Sequence, residues 1–95
     1  MIAPSIQVDD GRCVLIGDFN LDTIAEVEVP SGELLSSEHV IDLEKVNDYD
    51  SALLAFLVEW KRCVNALGGQ ASIEHQPQGF ESLREFYKLQ GTTLF

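Results

Sequence analysis

The side chains with chemistry to offer are Ser51 at the head of an apolar run, His39 and His75, Cys13 and Cys63, and a large excess of carboxylates. A hydrolytic triad needs a serine, a histidine and a carboxylate brought together, and Ser51, His75 and an aspartate supply the types. No GxSxG pattern surrounds Ser51, however, so the sharp turn that presents a nucleophile is not encoded there. The cysteines show no CxxC spacing and have no second ligand at finger-like distance, so they are expected to be free buried thiols, and no metal is assigned. Gly68-Gly69 is not followed by the lysine of a phosphate-binding loop. The pairs Asp9-Asp10 and Asp48/Asp50 suit turns. No catalytic centre and no cofactor site is expected, which leaves recognition of another protein as the function class.

Charge narrows the partner. The 95 residues carry a formal charge of −10, and it is uneven: residues 1–60 hold 13 acidic and 2 basic side chains, residues 61–95 hold 3 and 4. Nucleic acid and bare anionic lipid both demand a basic surface, so neither is expected, whereas a partner with a basic docking face is favoured. The longest unbroken apolar stretch, Ala52 to Val58, is far short of the about 20 residues that span a bilayer. The first five residues lack the basic start and apolar middle of a secretory signal. A cytoplasmic chain folded as one domain over residues 1–95 is expected.

The elements that must position these residues follow from local pattern. Ile6 to Asp9 alternates, Asp10-Gly11 is a two-residue hairpin turn, and Cys13 to Ile16 forms the returning strand. A short helix is predicted over Leu21 to Val29, ended by Pro30 and Gly32, with a further turn at Glu33 to Ser36. Val40 to Leu43 reads as a central strand covered on both faces. The best-defined helix spans Ser51 to Leu67, with Asp50 as N-cap, Tyr49 packing back on Leu54 as a staple, and Gly68-Gly69 as the stop. Gln70 to Glu74 forms another strand. Pro77 opens a last helix with Phe80, Leu83, Phe86, Tyr87 and Leu89 on its apolar face. This order predicts an α/β fold: a mixed sheet with helices packed mainly on one face.

At 100° per residue, Leu53, Phe56, Leu57, Trp60, Val64 and Leu67 fall in one stripe and form the core face. Ser51, Ala55, Val58 and Arg62 lie opposite, with Leu54 and Glu59 at the margins. Ser51, one residue past the cap, has a backbone N–H without an intrahelical acceptor at the positive end of the helix dipole, a position suited to a phosphate or a partner's carboxylate. The alternative is that Ser51 itself caps the helix, with Asp50 in the turn.

The stretch Ile41-Asp42-Leu43-Glu44-Lys45-Val46, followed by Asp50-Ser51 opening an apolar helix that runs into Glu59-Trp60, resembles the STAS domain family. The similarity extends from Val14–Phe19 to Leu83–Leu89. It is strongest to the branch that serves phospholipid ABC transporters of Gram-negative bacteria. The resemblance implies a sheet of about four strands with helices on one face and a partner-binding surface at the helix start, comprising Asp50, Ser51, Leu54, Ala55, Val58 and Arg62. The implied partner is the transporter's cytoplasmic ATPase subunit and, through it, the permease complex. The chain would then sit in the cytoplasm at the inner membrane without inserting, in service of outer-membrane lipid asymmetry. In the anti-anti-sigma branch the residue matching Ser51 is phosphorylated by an anti-sigma kinase. Leu53 stands where that branch usually carries glycine, and Ser51 where the best-known transporter members carry threonine.

Overall fold

The structure, a computed structural model, describes residues 2–30 and 32–89, with side chains through residue 85. Its first hairpin follows directly from local chemistry. Strands β1 (Ser5–Asp9) and β2 (Arg12–Phe19) pair antiparallel, and Asp10 and Gly11 both take positive φ, 46° and 78°, as a tight turn matched to strand twist requires.

β2 then pairs in parallel with β3 (Glu38–Asp42), and β3 in parallel with β5 (Gln70–Glu74), in the order β1-β2-β3-β5. A fifth strand, β4 (Val46–Tyr49), pairs with β2 beyond the end of β3. β3 and β4 thus occupy one lane beside β2, broken at residues 43–45. Leu43 N–H makes the last rung of the β3–β5 ladder, to Glu74 O (3.0 Å), and beyond the break Gly17 N–H donates to Lys45 O (3.1 Å). At this break β2 changes register between Gly17 and Asp18. Gly17 has φ +100°, and a Cβ there would lie 2.4 Å from the Ala3 carbonyl oxygen, so no other residue fits without backbone movement.

The helices are α1 (Glu33–Ser36), α2 (Ser51–Leu67) and α3 (Phe80–Leu89). The core is a single cluster in which Cys13, Leu15, Phe19 and Ile41 of the sheet meet Leu53, Leu54, Phe56, Leu57, Trp60 and Val64 of α2 and Phe80 of α3. Sheet register assigns the faces: Cys13, Ile41 and Ile73 align on the core side, while Val14, Asp42 and Glu74 align on the other. Only one face is covered. The central strand expected to be buried on both sides keeps Val40 half-exposed, because all the helices of the described residues pack into the one cluster.

The helix predicted over Leu21 to Val29 is reduced to a 3-10 turn at Ile24–Glu26. Side-chain hydrogen bonds close the turn at its start, and the chain leaves it for extended backbone at Val27. Thr23 Oγ1 accepts from Asn20 N–H (3.1 Å) and donates to Asp18 O (2.7 Å), and Asn20 Oδ1 accepts from Asp22 N–H (3.0 Å). Val27, which follows, is extended at φ −133°, ψ 147°, and Val27 and Val29 pack against the core edge.

The α2 boundaries match those predicted, and its C-terminus shows why two glycines stand there. Gly68 is left-handed at φ 78°, and its neighbour's N–H bonds to Val64 O (3.0 Å). A Cβ on Gly69 would fall 2.1 Å from Leu35 O, so α1 can approach only a glycine. The core stripe shifts from the predicted one at both margins. Leu67 is 51% exposed, because it lies beyond the end of the packed cluster, and lines an apolar hollow with Leu35 and Cys63. Leu54 is buried: α3 packs on that flank of α2, where Lys61 and Asn65 line a hollow shared with Arg84. The predicted staple is replaced as well: Tyr49 meets Phe80 edge-on (6.0 Å between centroids), and its hydroxyl donates to Gln78 O (2.6 Å). Pro77 precedes the last helix rather than opening it, its carbonyl accepting from Phe80 N–H (3.1 Å). Phe80 is fully buried and Leu83 half-buried on its apolar face; the side chains of Phe86, Tyr87 and Leu89 lie outside the described residues.

Candidate functional site

The start of α2 is held by one carboxylate with two tasks. Asp50 Oδ1 accepts from Ala52 N–H (2.8 Å) and caps the helix, while Oδ2 accepts from Leu21 N–H (3.0 Å) and ties the 20–23 loop to it. Asp50 is therefore the cap, which excludes the reading in which Ser51 caps the helix. Ser51 opens the helix half-exposed, and its hydroxyl makes no hydrogen bond among the described residues.

Along the same outer face, Ala55 is exposed and Val58 half-exposed; Arg62 is largely exposed and reaches Glu59 Oε2 at 3.6 Å. Five of the six predicted partner-binding residues, Asp50, Ser51, Ala55, Val58 and Arg62, thus keep exposed surface. Leu54 does not: at 1% exposure it packs in the core and has no surface to offer a partner. Around the helix start stand the exposed acids Asp22 and Asp48, the latter accepting from Asn20 Nδ2 (2.8 Å). Nearby Asp18 is clamped by Asn47 Nδ2 (2.9 Å) and Ile2 N–H (3.0 Å), and these hydrogen bonds, Asn47's first, hold its carboxyl below the usual range.

The histidines do other work. His75 Nδ1 lies 2.9 Å from Asp42 Oδ1, on the sheet face away from α2, so it is not a base for Ser51. Arg12 reaches both Asp42 Oδ2 (2.8 Å) and Glu74 Oε1 (2.9 Å). Burial works against ionised Asp42, but hydrogen bonds from Glu44 N–H, His75 and Arg12 outweigh it and lower its pKa. The bond to Asp42 in turn raises that of His75. Asp42, Glu44 and His75 offer ligand atoms within 4.8 Å of one another, and both Asp42 oxygens already carry protein partners, Oδ2 the Arg12 guanidinium and Oδ1 Glu44 N–H and the His75 ring. His39 is buried: its Nε2 accepts from Trp60 Nε1–H (3.0 Å), which leaves the ring proton on Nδ1 to donate to Ser37 O (3.0 Å). Both cysteines are free, as expected, but only Cys13 is buried, and burial raises its thiol pKa; Cys63 is half-exposed beside Glu59.

Among solved structures, the unphosphorylated form of the anti-sigma factor antagonist SpoIIAA matches with a TM-score of 0.57 at 13% identity, covering 92% of this chain and 83% of that one. The chain has the STAS fold. No family model and no curated protein matches the sequence. Within the STAS fold seen here, the sheet has five strands where about four were expected, the extra one arising from the break in the β3–β4 lane.

Leu21 is the site feature that sequence reasoning missed. It is 73% exposed although its backbone is tethered to the cap of α2. The signal was a lone leucine between Asn20 and Asp22, residues that favour turns.

Proposed function

We propose that this chain is a non-catalytic STAS subunit of the MlaB type, which binds and supports the ATPase of a phospholipid ABC transporter. It would act at the cytoplasmic side of the inner membrane, without inserting, in a complex that maintains outer-membrane lipid asymmetry. The observation that carries the reading is the start of α2. A doubly tethered cap presents an unbonded Ser51 hydroxyl, and behind it the exposed Ala55 and half-exposed Val58 leave room for a partner's backbone. Leu53 supports the same branch: it is fully buried where the kinase-switched branch usually carries glycine. No helix among the described residues is long and apolar enough to cross a membrane.

Replacing Ser51 with arginine should abolish co-purification of the ATPase and its permease from detergent-solubilised membranes, with far-UV CD and melting temperature nearly unchanged. Equal recovery by the variant removes the site assignment. A second reading, an anti-anti-sigma factor switched by phosphorylation of Ser51, is favoured by that free hydroxyl and by the fold shared with the SpoIIAA antagonist. Incubation with the cognate anti-sigma kinase should then add one phosphate at Ser51, and a chain that stays unmodified would rule this reading out.

A further inference from the structure

We propose that Leu21 is the apolar anchor of the docking surface, and that the partner is a protein meeting it with an apolar socket rimmed by lysine or arginine. The inference rests on the reading that the chain docks through the start of α2.

At 73%, Leu21 exceeds the other exposed large hydrophobics of the described residues, Ile2, Val8 and Leu67, which lie at 49–51%. Its backbone is already ordered. Its own N–H is held by Asp50, and its neighbours Asn20, Asp22 and Thr23 close the loop through side-chain hydrogen bonds. A side chain presented from an ordered backbone loses less freedom on binding than one on a loose loop, and so keeps more of its burial energy as affinity. Hot spots have this form, an anchor in a desolvated pocket inside a polar ring.

Charge selects the occupant. Exposed Asp22 and Asp48 flank the anchor, and residues 1–60 hold 13 acidic side chains against 2 basic ones. A second copy of this chain would bring the same carboxylates into like-charge contact, and an anionic membrane would be repelled in the same way. A basic rim on a different protein resolves both conflicts.

The experiment is binding of the purified chain to the purified transporter ATPase subunit at low and moderate salt, with Ser51→Arg, Leu21→Ala, Leu21→Lys and the pair Asp22→Lys/Asp48→Lys. Leu21→Ala is expected to weaken binding by about tenfold or more, and Leu21→Lys further, both with unchanged melting temperature. The Asp22→Lys/Asp48→Lys pair is expected to slow association and flatten its salt dependence. If Ser51→Arg abolishes binding while both Leu21 variants bind like the parent, the anchor is overturned and the docking site stands. If all variants bind like the parent, both fall. If the parent fails to bind the ATPase, the reading falls and the inference with it. Leu21-dependent dimers of the chain alone would overturn the charge argument.

Discussion

Replacing Asp50 separates its two tasks. Loss of an N-cap costs about 1 kcal/mol, and loss of one partly exposed backbone hydrogen bond about 0.5–1 kcal/mol. Asp50→Ala removes both bonds, Oδ1 to Ala52 N–H and Oδ2 to Leu21 N–H, so a loss of about 1.5–2 kcal/mol is expected. For a domain of this size that lowers the melting temperature by roughly 6–16 °C. Asp50→Asn keeps a single acceptor oxygen, and its amide NH2 faces the remaining N–H, donor against donor. Asparagine caps about as well as aspartate, so the loss should be roughly the loop bond alone, near half that of alanine. Hydrogen exchange assigns the loss: in Asp50→Asn one of the two amides, Ala52 or Leu21, should lose protection and the other keep it. The assay is urea unfolding with exchange read at those two amides. If Asp50→Asn and Asp50→Ala are equally destabilised, or if alanine shifts the midpoint negligibly, the two-task account is wrong.

Trp60→Phe should destabilise the chain by about 1–3 kcal/mol, because it leaves buried His39 Nε2 without its donor, and urea unfolding of the single and double variants with His39→Leu should show a part of that loss recovered when both polar partners are gone. The His75–Asp42 pair gives a pH signature of defined sign. The pKa of His75 is raised above the ordinary 6.5, so its stabilisation is complete below that value and is lost as pH rises through the raised pKa. The pKa of Asp42 is lowered, so its stabilisation is present above the ordinary carboxylate value and is lost as pH falls through the depressed one. Urea midpoints of the parent should therefore fall from mildly acidic toward mildly alkaline pH, and His75→Gln should flatten that fall; an identical slope in the variant would mean the pair contributes nothing.

How much was legible in the sequence depends on the range of the force involved. The Asp10-Gly11 turn, the span of α2, its Asp50 cap, its Gly68-Gly69 stop and the β5 strand were all readable. Each is decided by the conformational preference or hydrogen bonding of residues a few positions apart. The outer face of α2 was readable for the same reason, since helical periodicity places Ser51, Ala55 and Arg62 together whatever the helix packs on. The α/β class also followed from element order alone.

What packs across the chain was decided only in three dimensions. Leu54, at the margin of the outer face by its wheel angle and counted with the partner-binding residues, is buried because α3, some thirty residues later, packs on that flank. Leu67 fits the core stripe by angle, yet the helix outruns what it packs against. Tyr49 reaches Phe80 rather than Leu54. The 21–29 segment was expected to be helical, but only a 3-10 turn remains: the Asp50 carboxylate, 29 positions away, accepts from Leu21 N–H, and Val27, packed against the core edge, is extended, while Leu21 stays outside. Sequence pattern measures the cost of local conformations, whereas these outcomes turn on which distant group arrives to bury a side chain or take a hydrogen bond.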